Sequence, residues 1–302
     1  MKAKNIFTWI AIAITCLFSC FWAFWGIIEN FHEGWYYEST LMNIGLMLFQ
    51  YLVFSLIFLL IGIIAIKWKK IGAILFILSG IIIPAIGIRS NAAIFVFSIP
   101  LIITGVLFWF GELKNKKWAY IIIIGSPLLT LIISGIEPVI RVSQRIDDKN
   151  YEARIVEGNN VKLIWAPEGY GWATTSEQMN DKSWKEVSDL VAHLNEDGKT
   201  LSDTVVNIWR LPSVGEAVAS LTRNGKNCEG KWNQSTAKAT YDIMPDKESP
   251  LWKINSPIVY WWTLTEVNDS TAYRLVYNGG VQKQNKKIKM GSLGYRAVKQ
   301  IK

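Results

Sequence analysis

The sequence predicts an α-helical membrane bundle of five transmembrane helices followed by a mixed α+β domain. Three observations predict this division. Apolar runs of about 20 residues, the length needed to cross the hydrocarbon of a bilayer, recur five times before residue 140 and never after it. Only five acidic and nine basic residues precede Arg141 in a chain of 302 residues. Beyond that point the composition becomes that of an ordinary soluble domain, with short alternating segments and two helix-capping signals. The expected domains are therefore 1–140 and 141–302.

The spans are expected at roughly 6–28, 44–66, 71–88, 92–110 and 118–136. The third carries Pro84 and the fourth Pro100, which neighbouring helices in a bundle can accommodate. The loops set the orientation. Lys2 and Lys4 precede the first span, Lys67, Lys69 and Lys70 follow the second, and Lys114, Lys116 and Lys117 follow the fourth. The alternate loops carry Glu29, Glu33 and Glu38, then Arg89. Lysine excess marks the cytoplasmic side, so the amino terminus is expected inside and everything after about Glu137 outside. Tryptophans near the span ends, Trp22, Trp25, Trp35, Trp68, Trp109 and Trp118, suit the interfacial belt. The expected location is thus a multi-pass protein of the cell membrane, with the bilayer as its first partner. Leu17-Phe18-Ser19-Cys20 loosely resembles a lipoprotein cleavage signal, but the run stays apolar to Ile28, where a processed lipoprotein turns polar. The spans hold almost no ionisable groups, which argues for an anchor or a partner-binding bundle over a proton relay.

In the polar half, 151–157 and Val161–Trp165 alternate as strands do. Ser183-Trp184-Lys185-Glu186 is a capping box, in which the serine oxygen takes an exposed amide and the glutamate reaches back; Val187, Leu190, Val191 and Leu194 follow at helical spacing. The run 205–209 reads as a strand. It is stopped at Arg210-Leu211-Pro212, because a residue before proline resists helix, and Ser213…Glu216 then caps a second helix. From Asn224 to Pro257 no period persists, although Trp232, Tyr241, Met244 and Trp252 argue that the segment packs down. Strands are expected at 258–266, 271–277 and 293–300.

These motifs carry a resemblance. Ser183-Trp184-Lys185-Glu186 opening a helix, Trp209-Arg210-Leu211-Pro212-Ser213 with Glu216, Tyr260-Trp261-Trp262-Thr263, Gly279-Gly280-Val281 and Gly294–Lys299 with Arg296 occur in the order seen in one bacterial branch of C-type-lectin-like domains. That branch is named for the carboxy-terminal domain of the collagen-like adhesin Lcl and is related in fold to formylglycine-generating enzymes. The resemblance covers roughly Lys162–Lys299. It implies a C-type-lectin-like fold and a surface module that binds ligands, with sulfated polysaccharide as the precedent. Formylglycine-generating chemistry uses a cysteine pair, whereas Cys228 stands alone in this half, so the resemblance implies binding and no enzyme. It implies Ser183, Glu186, Trp209, Arg210, Pro212, Ser213, Glu216 and Arg296 as structural motif residues.

Candidate ligand residues come from charge and aromaticity. The stretch from Lys283 through Lys286, Lys287 and Lys289 contains no acid and suits an anionic polysaccharide. Trp261 and Trp262 are adjacent in a strand and therefore point to opposite faces; one is expected in the core and the other free to stack on a sugar. Glu266-Val267-Asn268-Asp269 distantly resembles a lectin calcium motif but lacks its tryptophan, and an ordinary turn accounts for it. No cofactor or metal is expected, and the outside location argues against nucleic acid as a partner. Two functions follow: a membrane-anchored extracytoplasmic binding module for anionic glycan or envelope polymer, and an accessory or sensor subunit whose helices bind a membrane protein partner.

Overall fold

The computed structural model describes residues 2–85, 94–179 and 181–301. Arg89, and the parts of the third and fourth expected spans at 86–93, lie outside the described residues. The chain divides into one unit of Met1–Gly34 with Thr40–Ile140 and a second of Trp35–Ser39 with Arg141–Lys302.

The first unit is helical. Its elements are α1 (Lys2–His32), α2 (Thr40–Leu46), a π turn (Met47–Tyr51), α3 (Val53–Lys67), α4 (Lys69–Ala85), a second π turn (Ile94–Ser98), α5 (Ile99–Phe110) and α6 (Lys116–Ser143). Two segments, Lys4–His32 and Lys116–Ser143, are long and apolar enough to cross a membrane, with mean hydropathies of 2.0 and 2.2. Their 29 and 28 residues span about 40 Å at the helical rise, more than the hydrocarbon thickness.

The second expected span is not one helix. Thr40–Tyr51 and Val53–Lys67 meet at a 70° bend. The Leu52 amide bonds to the Met47 carbonyl, five residues back, and this π register inserts an extra residue at the corner. Gly26 of α1 faces the bend, and a Cβ there would collide with the Tyr51 carbonyl. The fourth expected span is a π turn followed by the 12-residue α5.

Small and hydroxyl residues join these apolar helices, letting their backbones approach closely. The Ser19 and Ser55 hydroxyls bond to each other's carbonyls at 3.1 and 2.8 Å, tying α1 to α3. Gly72 of α4 sits against Ala65 of α3. Phe58, Phe76, Leu101, Phe108 and Ile123 fill the centre, with the Phe76 and Phe108 rings stacked at 5.8 Å.

The second unit contains β1 (Arg154–Gly158), β2 (Val161–Trp165), α7 (Trp184–Ala192), α8 (Val214–Ser220), β3 (Thr222–Arg223), β4 (Lys226–Asn227), β5 (Lys231–Asn233), β6 (Lys238–Thr240), β7 (Tyr260–Asn268), β8 (Thr271–Val276), β9 (Val281–Asn285), β10 (Leu293–Gly294) and β11 (Val298–Gln300). One sheet runs β1-β2-β11 and another β10-β7-β8-β9; β3-β4 and β5-β6 are two-stranded ribbons. Trp165, Trp209, Trp252, Trp261 and Trp262 lie in one core with Leu163, Val191, Val218 and Leu275.

Several local expectations change. The 205–209 run is a loop, because Asn207 adopts a left-handed φ of 55° and the Val206 and Asn207 amides both turn back to the Ala192 carbonyl. Only Arg210 reaches a strand, exchanging 3.0 and 2.8 Å backbone bonds with Val298. The 293–300 run splits into β10 and β11, which join different sheets. The segment 224–257 holds short ribbons, and β9 occupies part of the lysine-rich strip.

Candidate functional site

Both capping boxes form. The Ser183 hydroxyl accepts from the Glu186 amide and Glu186 accepts from the Ser183 amide; Ser213 and Glu216 repeat the arrangement at α8. Arg210 adds a fork, donating through Nη1 and Nη2 to the two Glu216 oxygens at 2.7 and 2.6 Å. Pro212 contributes its carbonyl to the Leu264 amide at 2.8 Å. Trp209 is buried and donates from Nε1 to the Asn195 carbonyl at 2.9 Å. Arg296 is fully buried: Nε donates to Ala166 O, Nη1 to Pro250 O and Leu251 O, each at 2.8 Å, and the guanidinium lies 3.6 Å from the Trp172 ring centre. The predicted motif residues are therefore working parts of the scaffold.

The predicted ligand residues fare differently. Trp261 is 1% exposed and Trp262 0% exposed, so neither ring offers a face to a sugar. The strand faces do alternate, but both are covered: Trp261 stacks on Trp252 at 3.7 Å, and β7 runs inside its sheet between β10 and β8. Lys286 ion-pairs with Glu266 and lies 4.7 Å over the Trp184 ring. Lys289 bonds to Glu186 at 3.1 Å and to the Asp181 carbonyl at 2.5 Å. Two of the four lysines thus fasten the strip to the start of α7, and Glu266 serves this clasp. Lys283 and Lys287 remain exposed.

The structure adds an aromatic pair that periodicity did not single out. Trp232 of β5 meets Tyr273 of β8 edge to face, with ring centres 5.4 Å apart, and both rings are half-buried. Tyr273 is paired across the ladder with Lys283 of β9, an edge strand, so the two side chains share a face. Lys231 and Lys238, exposed on β5 and β6, are each one residue from the Trp232–Ala239 pair and so lie on the opposite face of that ribbon. Arg274, one residue along β8, stacks 3.8 Å over Tyr260 and binds Gln282.

A buried ionic knot was also missed. Asp246 has no exposed side-chain surface and accepts from Arg141 Nε at 2.8 Å, Arg145 Nη2 at 2.9 Å and Arg223 Nη1 at 2.7 Å. Burial alone would raise the Asp246 carboxyl; the Arg145 and Arg141 charges outweigh it and hold the group below its ordinary value. Lys247 beside it is buried, donates to the Ser256 carbonyl, and is pushed well below its ordinary value by burial and then by Arg145. Glu248 accepts from the Ile146 and Asn224 amides and is raised by burial. None of Asp246, Lys247 and Glu248 stands out in the sequence, being residue types that are almost always exposed. Among the described residues, no group of three or more His, Cys, Asp or Glu side chains is placed to hold a metal ion.

Residues 1–120 match a family model described as a domain of unknown function (DUF7670). That match stops short of the sheet-rich unit. No curated protein and no solved structure matches the chain.

Proposed function

We propose that the chain is a membrane-anchored binding module whose sheet-rich unit takes an anionic polysaccharide on the face carrying Lys283, Tyr273 and Trp232. The Trp232–Tyr273 pair set opposite Lys283 carries this reading. A sugar chain offers apolar ring faces and, when sulfated or carboxylated, fixed negative charge. Half-buried aromatics match the first, and lysines on a sheet edge match the second. Lys287, exposed beyond the end of β9, extends the positive surface. The resemblance to the Lcl-type C-type-lectin-like domains supports the same ligand class. The lysine-rich loops support an inside amino terminus and an outward-facing sheet-rich unit in the cell membrane.

The test uses the full chain in a neutral detergent, with dextran sulfate and uncharged dextran as probes at low and high ionic strength. Dextran sulfate should bind, weaken steeply with salt, and be lost in Lys283→Ala/Lys287→Ala and in Trp232→Ala. Equal binding to plain dextran, or indifference to these substitutions, overturns the proposal. Protease added to right-side-out vesicles should remove the 141–302 unit; protection of that unit would overturn the location.

A further inference from the structure

The helical unit contains a cavity that the polysaccharide reading does not use. It measures about 330 Å³ and is lined by Thr8, Ala65, Ile66, Lys67, Lys69, Phe108, Glu112, Leu113, Lys114 and Lys116. The volume falls at the lower end of the range for small-ligand pockets.

Its position follows from the sequence. Three lysine-bearing segments converge at one end of the bundle: the start of α1, the α3–α4 corner and the α5–α6 link. The Glu112 amide donates to the Lys4 carbonyl at 2.9 Å, and the Lys4 ammonium sits 3.4 Å from the Glu112 carboxylate. Lys69 donates to the Gly111 carbonyl at 2.7 Å. Glu112 is thus answered by Lys4, which does not line the cavity, while four lysines do.

The floor has the opposite character. Ala65, Ile66 and Phe108 are buried, and Leu113 is half-buried. Lys67, Lys114 and Lys116 stand exposed around them. Mutual repulsion makes such a ring costly when empty and favourable around an anion. Lysine is a compact point charge suited to phosphate oxygens, and basic pockets between helix ends are a recognised setting for anionic headgroups. An apolar floor inside a lysine rim fits a molecule with one charged and one greasy end.

We propose that this cavity binds the phosphate of an anionic ester, with the headgroup of an acidic phospholipid as the source that the apolar floor favours and a soluble phosphate ester as the other. Lys67, Lys114 and Lys116 supply the charge. Lys69, committed to Gly111, holds the rim in shape.

Native mass spectrometry of the full chain in neutral detergent provides the test. The probes are short-chain phosphatidylglycerol, short-chain phosphatidylcholine, glycerol phosphate and inorganic phosphate. Phosphatidylglycerol should bind at one site and weaken by about tenfold or more in Lys67→Gln/Lys114→Gln/Lys116→Gln. The arginine versions of the same three positions should retain it, as should Lys117→Gln, an exposed lysine that does not line the cavity. If glycerol phosphate or inorganic phosphate displaces the lipid at similar concentration, the soluble source is indicated; failure to displace indicates the lipid. Phosphatidylcholine binding as tightly as phosphatidylglycerol, or a triple glutamine variant that binds like wild type, overturns the proposal. The thermal transition of each variant separates lost binding from lost folding.

Discussion

Arg145 donates to Asp246 through both Nε and Nη2, at 3.2 and 2.9 Å, and the carboxylate that accepts has no exposed side-chain surface. Arg141 and Arg223 complete a set of three guanidiniums around one buried acid. Replacing Asp246 by Asn removes the carboxylate charge that all three guanidiniums share. The expected cost to the sheet-rich unit is about 3–5 kcal/mol, the penalty for stranding buried charge. A lower melting transition of the full chain by near-ultraviolet circular dichroism would report it. A melting point within a degree of wild type would mean that water reaches the knot.

The same groups set the response to acid. Asp246 and Glu216 are held below their ordinary values of 3.8 and 4.5, in Glu216 because Arg210 outweighs its burial. A depressed carboxyl stabilises the fold above its unfolded value, and that contribution disappears as pH falls through the folded one. Glu186 is likewise held low, at about 2, by the Ser183 hydroxyl and amide and by Lys289. Glu248 works in the other direction, since its raised carboxyl relieves a cost when it protonates. The carboxylate contribution to the stability of the sheet-rich unit should therefore disappear below about pH 4.5, towards pH 2. A pH series of thermal melts checks this; a melting point that does not fall between about pH 4.5 and pH 2 would contradict it.

Substitutions at the head of α8 should separate two contributions. Ser213→Ala loses the cap and costs about 1 kcal/mol. Arg210→Ala should cost more, roughly 2 kcal/mol, because it leaves half-buried Glu216 without its forked partner. Hydrogen exchange over Val214–Ser220 would show the order. Protection in Arg210→Ala equal to that of wild type would argue that Arg210 is dispensable.

The tryptophans offer a contrast between structure and binding. The indole N–H groups of Trp261 and Trp262 are buried without an acceptor, so Trp262→Phe forfeits no hydrogen bond and should cost little more than the volume lost, whereas Trp261→Ala should cost about 3–5 kcal/mol. Trp232→Ala should leave the melting transition much closer to wild type while lowering dextran sulfate binding. If Trp232→Ala instead unfolds the unit as thoroughly as Trp261→Ala, the aromatic pair is scaffold and its ligand role fails.

What could be read from the chain depended on how local the signal was. The two capping boxes were legible because a serine and a glutamate three positions apart need only each other. Val161–Trp165 was legible because alternation marks a half-buried strand. The 70° corner at Leu52 was not, since a π register leaves no mark in an apolar run that is greasy on every side. Val205–Trp209 misled because Asn207 turns left-handed there, a choice set by the Ala192 carbonyl that both amides reach. The lysine strip misled in part. Its charge was plain, but Glu266 and Glu186, which claim Lys286 and Lys289, come from 20 and 103 residues away. Asp246 was invisible for the same reason, since two of its three arginines are more than 100 residues upstream.

The stretch 293–300 closes two sheets at once, β10 lying parallel beside β7 and β11 antiparallel beside β2, with Arg296 sealed between them. β2 must therefore wait more than 130 residues for its second neighbour during synthesis, holding a raw edge open all that while. An intermediate that still lacks 293–300 keeps that adhesive edge bare and is half-zipped, so it is the species for which escort by a chaperone matters most.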